Sequence, residues 1–303
     1  MDRDVTDFSF DIETTFGPLH VPKSTQSLRL NGRQSKVIVT NYLFGSSRVV
    51  YSTASVFFAG KIGTRDVLFL YGDSDQEHEA VLLLKGTSGL GTRSRVPQIR
   101  FSASGMGANT MISILDGAKG LFTVWDSDTQ LVLYCDTETT EKFFVPLTPK
   151  PSKHPLANSF HNYWQLGTND SVIVGGPHLV REASFQGSHL FLSGDLNEST
   201  TLTVIAPSFV TAVNWNDQVV EPDTDAPPPT KIGGFVGRLR MKRSIAGVSL
   251  PELSEWKFRD GIPEILREFS DDNWIVADHT STNSPYKPYY GDGRVLYGCD
   301  YGL

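Results

Sequence analysis

Paired carboxylates, histidines in register, and hydroxyl or thiol nucleophiles beside a base are the side-chain sets that do chemistry. A double-displacement hydrolase needs two carboxylates about 5–5.5 Å apart, one as nucleophile and one as acid/base. The nearest cluster is Gln76-Glu77-His78-Glu79. On a strand Glu77 and Glu79 share a face and His78 points away. That spacing serves a metal, or more simply a solvated edge between Tyr71 and the apolar run from Ala80 to Leu84. Asp136-Thr137-Glu138 and Glu141 form a second acidic patch ahead of Phe143-Phe144-Val145-Pro146, and read as a charged turn. Seven histidines stand at 20, 78, 154, 161, 178, 189 and 279. They include no HExxH and no pair at helical spacing, so a zinc site is not indicated. The GxSxG of a serine-hydrolase elbow is missing. Gly86-Thr87-Ser88-Gly89-Leu90-Gly91 lacks the spacing and the Lys-Ser/Thr ending of a phosphate loop, and reads as a turn. Cys135 and Cys299 lie far apart with no CxxC, which leaves a long-range disulfide and two buried thiols both open. The residues alone single out no catalytic residue, no metal site and no cofactor.

Two features point to surfaces. Phe160-His161-Asn162-Tyr163-Trp164 is an aromatic cluster. It reads first as core or interface, and second as a platform on which Tyr163 and Trp164 stack a sugar ring. Asn169-Asp170-Ser171 and Asn197-Glu198-Ser199 are glycosylation sequons, which matter only in a chain that enters the secretory path.

The elements that must carry these residues are strands. Leu28-Arg29-Leu30, then Asn31-Gly32, then Lys36 to Thr40 predicts a β-hairpin, because Asn-Gly accepts the positive φ of a type I′ turn. Further apolar runs cover Val49–Phe57, Val67–Tyr71, Ala80–Leu84, Leu121–Trp125 and Leu131–Cys135. Ser171–Val174, His189–Leu192, Thr200–Ile205 and Val210–Trp215 follow. β-Branched and aromatic residues dominate, and short strands at this spacing predict sandwiches. The one helical pattern is Asp260–Phe269, with Pro263 in the first turn and Ile262, Ile265, Leu266 and Phe269 on one face. Alternating βαβ units are absent, which argues against a doubly wound sheet or a TIM barrel within this chain. The fold class expected is all-β, mainly antiparallel: consecutive sandwiches, a truncated jelly roll and one short helix. Pro146–Pro155 and Glu221–Thr230 are proline-rich and read as linkers. They divide the chain into segments of about 1–146, 147–235 and 236–303.

The chain has 303 residues, of which 39% are hydrophobic and 20% charged, enough for a core without staples. Lys plus Arg number 27 against 34 Asp plus Glu, so the net charge is -7 and nucleic acid is a poor partner. No apolar run reaches the roughly 20 residues of a membrane span. The start, Met-Asp-Arg-Asp-Val-Thr-Asp, has neither the basic nor the apolar region of a signal peptide.

Several stretches, taken in order, resemble the middle of a fungal-type β-galactosidase of glycoside hydrolase family 35. Gly17-Pro18-Leu19, Leu28–Lys36, Tyr51-Ser52-Thr53-Ala54 and Val67–Gly72 are similar to that family's second domain. Gly176–Ala183 and Leu192–Asn197 are similar to its third. Leu250-Pro251, Trp256-Lys257, Pro263-Glu264, Asp271-Asp272, Trp274 and Leu296–Gly302 are similar to the opening of its fourth. Departures are Phe143-Phe144 where the family has a pair with Trp or Tyr, Asn216-Asp217 where it has Asn-Gly, and a poor match over Ser88–Gly120. The resemblance implies a parent enzyme that removes terminal non-reducing β-D-galactose with retention, using two glutamates on a catalytic barrel. Neither glutamate has a counterpart here, so no catalytic residue carries over, no cofactor is implied, and the chain is expected to be inert alone. It also implies an extracellular parent, a galactoside or plant-wall glycan as partner, and association through an orphaned barrel-docking face. The alternative expectation is a stand-alone carbohydrate-binding sandwich.

Overall fold

The computed structural model describes residues 5–241 except 15, 25–26, 32–33, 87–90, 147 and 149–170, and beyond them 256–258, 270 and 275–277. The chain divides into two compact units, Met1–Lys242 and Arg243–Leu303. The first unit opens with β1 (Val5–Phe8), β2 (Phe10–Thr14), β3 (Gly17–Val21), β4 (Leu28–Asn31), β5 (Val39–Phe44), β6 (Ser47–Ser52), β7 (Ser55–Ile62) and β8 (Arg65–Gly72). Next come β9 (His78–Leu82), β10 (Thr92–Arg93), β11 (Ile99–Ala103), β12 (Thr110–Ile114), β13 (Phe122–Asp126), β14 (Gln130–Asp136) and the helix α1 (Thr137–Thr140). Then follow β15 (Phe143–Phe144), β16 (Ile173–Gly175), β17 (Leu179–Gln186), β18 (His189–Asp195), β19 (Thr200–Ile205), β20 (Ala212–Trp215), β21 (Gln218–Val219) and β22 (Gly234–Leu239). In the second unit, β23 (Trp256–Phe258) pairs antiparallel with β24 (Ile275–Ala277).

The first unit stacks four larger sheets, accompanied by the two-stranded sheets β1-β4 and β2-β3. Sheet 1 has the order β11-β12-β9-β6-β5 and sheet 2 the order β10-β13-β14-β8-β7. Sheet 3 runs β15-β16-β19-β22 and sheet 4 runs β17-β18-β20-β21. The alternation of side chains along each strand decides which interior each residue joins. Val49, Leu82, Ile112 and Ile114 of sheet 1 meet Leu68, Leu70, Val132 and Tyr134 of sheet 2. The intervening residues Val67, Phe69, Leu131, Leu133 and Cys135 point the other way, onto Ile173 and Ile205 of sheet 3. Val172, Val174, Leu202 and Val204 then face Leu190, Leu192, Val213 and Trp215 of sheet 4. β8 and β14 are therefore covered on both faces. This is why they read as unbroken apolar runs, and it suits their parallel pairing.

Phe143 and Phe144 show the same logic at one step. They form β15, an edge of sheet 3, and not the end of the first sandwich. Phe143 packs edge-on against Phe57 and Phe69 in the shared interior, while Phe144 joins the interior of sheets 3 and 4.

Several sequence expectations change. The Asn31-Gly32 hairpin does not form: β4 pairs with β1, and β5 starts only at Val39 and pairs with β6. Leu28 is buried among Val21, Val50, Tyr51 and Val81 on the outer side of sheet 1, and that packing overrides the turn signal. Val49–Phe57 is two strands in two sheets, with the corner held by Ser52 Oγ donating to Ala54 O (2.8 Å) and Thr53 N donating to Glu79 O (2.9 Å). Glu221–Thr230 is a packed strap and not a linker. Pro222 bridges Gly237, Asp223 N donates to Val236 O (2.8 Å), and Thr230 is buried. Proline fixes the extended backbone but leaves carbonyls and neighbouring side chains free to bond. β22 runs through residues 235 and 236, and sheet 3 continues to Leu239. The helical pattern at Asp260–Phe269 and the proline run 149–155 lie outside the described residues. α1 is four residues long and sits where the sequence suggested a charged turn, with Asp136 as its N-cap. Asn216 and Asp217, at φ 47° and 64°, make the expected two-residue turn between β20 and β21.

Candidate functional site

The buried carboxylates are the first candidates, and each is occupied by the fold. Glu79 follows His78 into β9 and lies under the loop after β3. It accepts from Lys23 N (2.6 Å), Ser24 N (2.7 Å), Ser24 Oγ and Tyr51 Oη (2.7 Å). Burial, reinforced by the Glu79 charge, pushes the Tyr51 hydroxyl far above its ordinary range. Glu77, by contrast, is exposed ahead of the strand, so the two do not pair, and the cluster is not the solvated edge that its charge suggests. Asp66 accepts from Ser46 N (2.9 Å), Ser46 Oγ (2.7 Å) and Ser47 Oγ (2.6 Å). Asp136 accepts from Gly120 N (2.6 Å) and Thr139 Oγ1 (2.6 Å). Burial alone would raise both acids, but the hydrogen bonds outweigh it and hold them below the usual carboxylate range. A general acid near neutrality needs the opposite shift.

Arg65, Asp126 and Thr230 form the buried polar contact across the two sandwiches. Arg65 Nη1 donates to Asp126 Oδ1 (2.9 Å), Thr230 Oγ1 (3.0 Å) and Ser127 O (3.3 Å). Asp126 Oδ2 takes the Lys231 amide (3.0 Å) and Thr123 Oγ1 donates to Pro229 O, so the strap 221–231 is bound to sheet 2.

His78 lies beneath a polar cluster. Its Nε2 is 3.0 Å from Asp73 O and its Nδ1 is 3.4 Å from Lys36 Nζ, which also donates to Gln76 Oε1 (2.9 Å). Gln34 bonds Asp73 and Gln76. Burial first, then the Lys36 charge, lowers His78 to about 4, and burial lowers Lys36 despite Asp73 and Asp75. Above this cluster opens a cavity of about 410 Å³ lined by Asn31, Gln34, Asp73, Asp75, Asp136 and Glu138, among others. A second cavity of about 560 Å³ lies at the end of sheets 3 and 4, beside Trp215, Glu221, Arg238 and Arg240.

Tyr163, Trp164, Asn169 and Cys299 lie outside the described residues. Asn197 is exposed in the bend between β18 and β19. Cys135 is a buried free thiol; burial, partly offset by a contact with Thr140, pushes it up to about 12, so it is no nucleophile. Among the described residues, no group of three or more His, Cys, Asp and Glu side chains is arranged to hold a metal ion. The polar residues missed from sequence are Lys36, Arg65, Asp66 and Asp126. One signal was available: Arg65-Asp66 abuts the apolar run Val67–Tyr71 with no turn between, which places charge inside a core.

Comparison with known proteins gives the arrangement a family. The family model for β-galactosidase domain 2 matches residues 1–113 and that for β-galactosidase domain 3 matches residues 143–227. The chain belongs to the β-galactosidase family. It is 31% identical over 299 residues to a probable β-galactosidase B of Sclerotinia sclerotiorum, covering 98% of this chain and 27% of that relative. It is 31% identical over 300 residues to a probable β-galactosidase C of Aspergillus niger, covering 99% of this chain and 27% of the relative. To the corresponding protein of Aspergillus flavus it is 32% identical over 303 residues, covering 99% of this chain and 28% of the relative. The chain thus spans about a quarter of the length of these relatives and corresponds to an accessory β-segment of a β-galactosidase. No helix among the described residues is long and apolar enough to cross a membrane.

Proposed function

We propose that this chain is scaffold and not catalyst in hydrolysis of terminal non-reducing β-D-galactosides. The segments proposed are a domain-2-like part of about 1–146, a domain-3-like part of about 147–235 and a domain-4-like part of about 236–303. The observation that carries the reading is that consecutive β-galactosidase domain models fall, in order, on a sheet stack whose buried carboxylates are saturated by fold hydrogen bonds. Acids held by three or four donors in the fold, below the usual carboxylate range in the case of Asp66 and Asp136, are poorly placed to attack an anomeric carbon or to carry its proton. Association with a further protein surface is part of the proposal. Leu43 (57% exposed), paired with Arg48 across sheet 1, and Leu83 (40% exposed), just beyond the end of β9, leave apolar surface uncovered. Secretion is also part of it, supported by the exposed Asn197 sequon.

The test is hydrolysis of an aryl β-D-galactoside by the purified chain at acidic and neutral pH. The expected result is no turnover above buffer. Turnover that disappears in Glu77→Gln, the exposed member of the acidic cluster, would replace the scaffold reading with an enzymatic one.

A further inference from the structure

We propose that the 560 Å³ groove at the end of sheets 3 and 4 is a binding site for a neutral pyranoside, a β-galactoside in the first instance. The choice of galactoside rests on the reading above; the groove does not. Its volume falls within the about 300–1,000 Å³ of small-molecule sites. The chain builds it from three pieces: the end of β20 at Trp215, the edge strand β21 after the Asn216-Asp217 turn, and the strap that leaves β21 and bridges to β22 at Pro222 and Gly237.

The lining fits a polyol. Arg238 Nε is fixed on Asp223 Oδ2 (2.7 Å) and Arg238 Nη2 lies 3.5 Å from Asp225, so this planar donor is already oriented. Arg240 and Glu221 line the same groove, and among the described residues neither has a hydrogen bond or ion pair. Two arginines against Glu221 and Asp223 leave no net formal charge on the lining, which disfavours a phosphate or a polyamine and suits hydroxyls that both donate and accept. Val219, 61% exposed on the edge strand, supplies an apolar wall for the C–H face of a ring.

Trp215 adds an independent observation. It is 6% exposed and lines the groove, and its indole N–H has no acceptor among the described residues. That nitrogen is itself shielded from solvent, so Trp215 serves the groove as a reporter of binding and not as a hydrogen-bond donor to the ligand.

The experiment is titration of the full, ¹⁵N-labelled chain with methyl β-D-galactopyranoside, with cellobiose and methyl α-D-mannopyranoside in parallel. The readout is the indole N–H resonance of Trp215, identified among the five tryptophans by its loss in Trp215→Phe. The galactoside is expected to shift that resonance with a millimolar Kd. Glu221→Gln and Arg240→Met are each expected to weaken binding about tenfold at an unchanged unfolding midpoint. A resonance that none of the three sugars moves overturns the site, as does a shift that persists undiminished in the double variant. Equal shifts with all three sugars uphold the groove and overturn the galactoside assignment, independently of the hydrolysis assay.

Discussion

Protonation of His78 sets a limit on the acid stability of the first sandwich. The imidazole is enclosed by Lys36 at 3.4 Å, the Asp73 carbonyl at 3.0 Å, the Tyr134 ring at 6.0 Å and the backbone of Gly72, where a Cβ would overlap it. In the unfolded chain the group titrates at its ordinary value of 6.5; in the folded chain burial and the Lys36 charge lower it to about 4. Between these values the unfolded state binds the extra proton, so stability falls as the pH falls from 6.5 to about 4 and is insensitive to this group above 6.5. The gap corresponds to about 3 kcal/mol over the window, at no more than about 1.4 kcal/mol per pH unit. Urea unfolding of wild type and His78→Gln at a series of pH values isolates the contribution, because the other histidines are common to both. The wild-type curve should fall more steeply by that amount. NMR titration of the folded chain gives the imidazole pKa directly. A folded His78 titrating near 6.5, or parallel stability curves for the two proteins, refutes the reasoning.

Three further outcomes follow from the same geometry. Arg65→Ala leaves Asp126 buried without its cation and should cost about 3–5 kcal/mol in denaturant unfolding, whereas Arg65→Met with Asp126→Leu should cost much less; a double variant no better than the single one would show that packing, not the uncompensated charge, dominates. Light scattering should show a mass that rises with concentration, and Leu43→Lys with Leu83→Lys should suppress the rise; a monomer at all concentrations removes the association surface. Secreted from a eukaryotic host, the chain should lose mass on endoglycosidase treatment, and Asn197→Gln should remove at least one glycan; equal glycan content in the two proteins excludes this asparagine.

Strand content was legible because most strands here bury one face, and that prints an alternating or apolar pattern. Val67–Tyr71 and Leu131–Cys135 were found as runs, but a run does not say what covers it. The cover on the second face is Ile173 and Ile205, well over thirty residues further along the chain, and nothing local announces them. β11 and β12 went unread, because Ile99–Ala103 and Thr110–Ile114 carry serine, threonine and arginine on their outer positions and resemble loop composition. The Asn31-Gly32 signal misled for the complementary reason. The turn preference gives way to the burial of Leu28 among Val21, Val50, Tyr51 and Val81, with β1 as its strand partner from upstream.

The polar sites were less legible than the fold, and the cause is physical. Catalytic acids are recognised in sequence by pairing and spacing, but a carboxylate's role depends on what fills its lone pairs. Glu77 and Glu79 are two residues apart and identical in type. One is solvated, and the other closes a clasp whose donors come from Lys23, Ser24 and Tyr51. The same distinction bears on what the stack is for. Arg65, Asp126 and Thr230 place an ion pair and a hydroxyl where two sandwiches meet, and Phe143 adds an aromatic contact from the opposite edge of sheet 3. Buried polar contacts of this kind add little net stability over an apolar match, but they penalise any other register of the two surfaces. A segment that must present a fixed face to the remainder of a long chain needs that registration more than it needs stability. If that is its role, Thr230→Val should leave the unfolding midpoint nearly unchanged while loosening sheets 2 and 3. Amide exchange in β8 and β19 would then rise together; faster exchange confined to the strap 221–231 would show that Thr230 only pins its own loop.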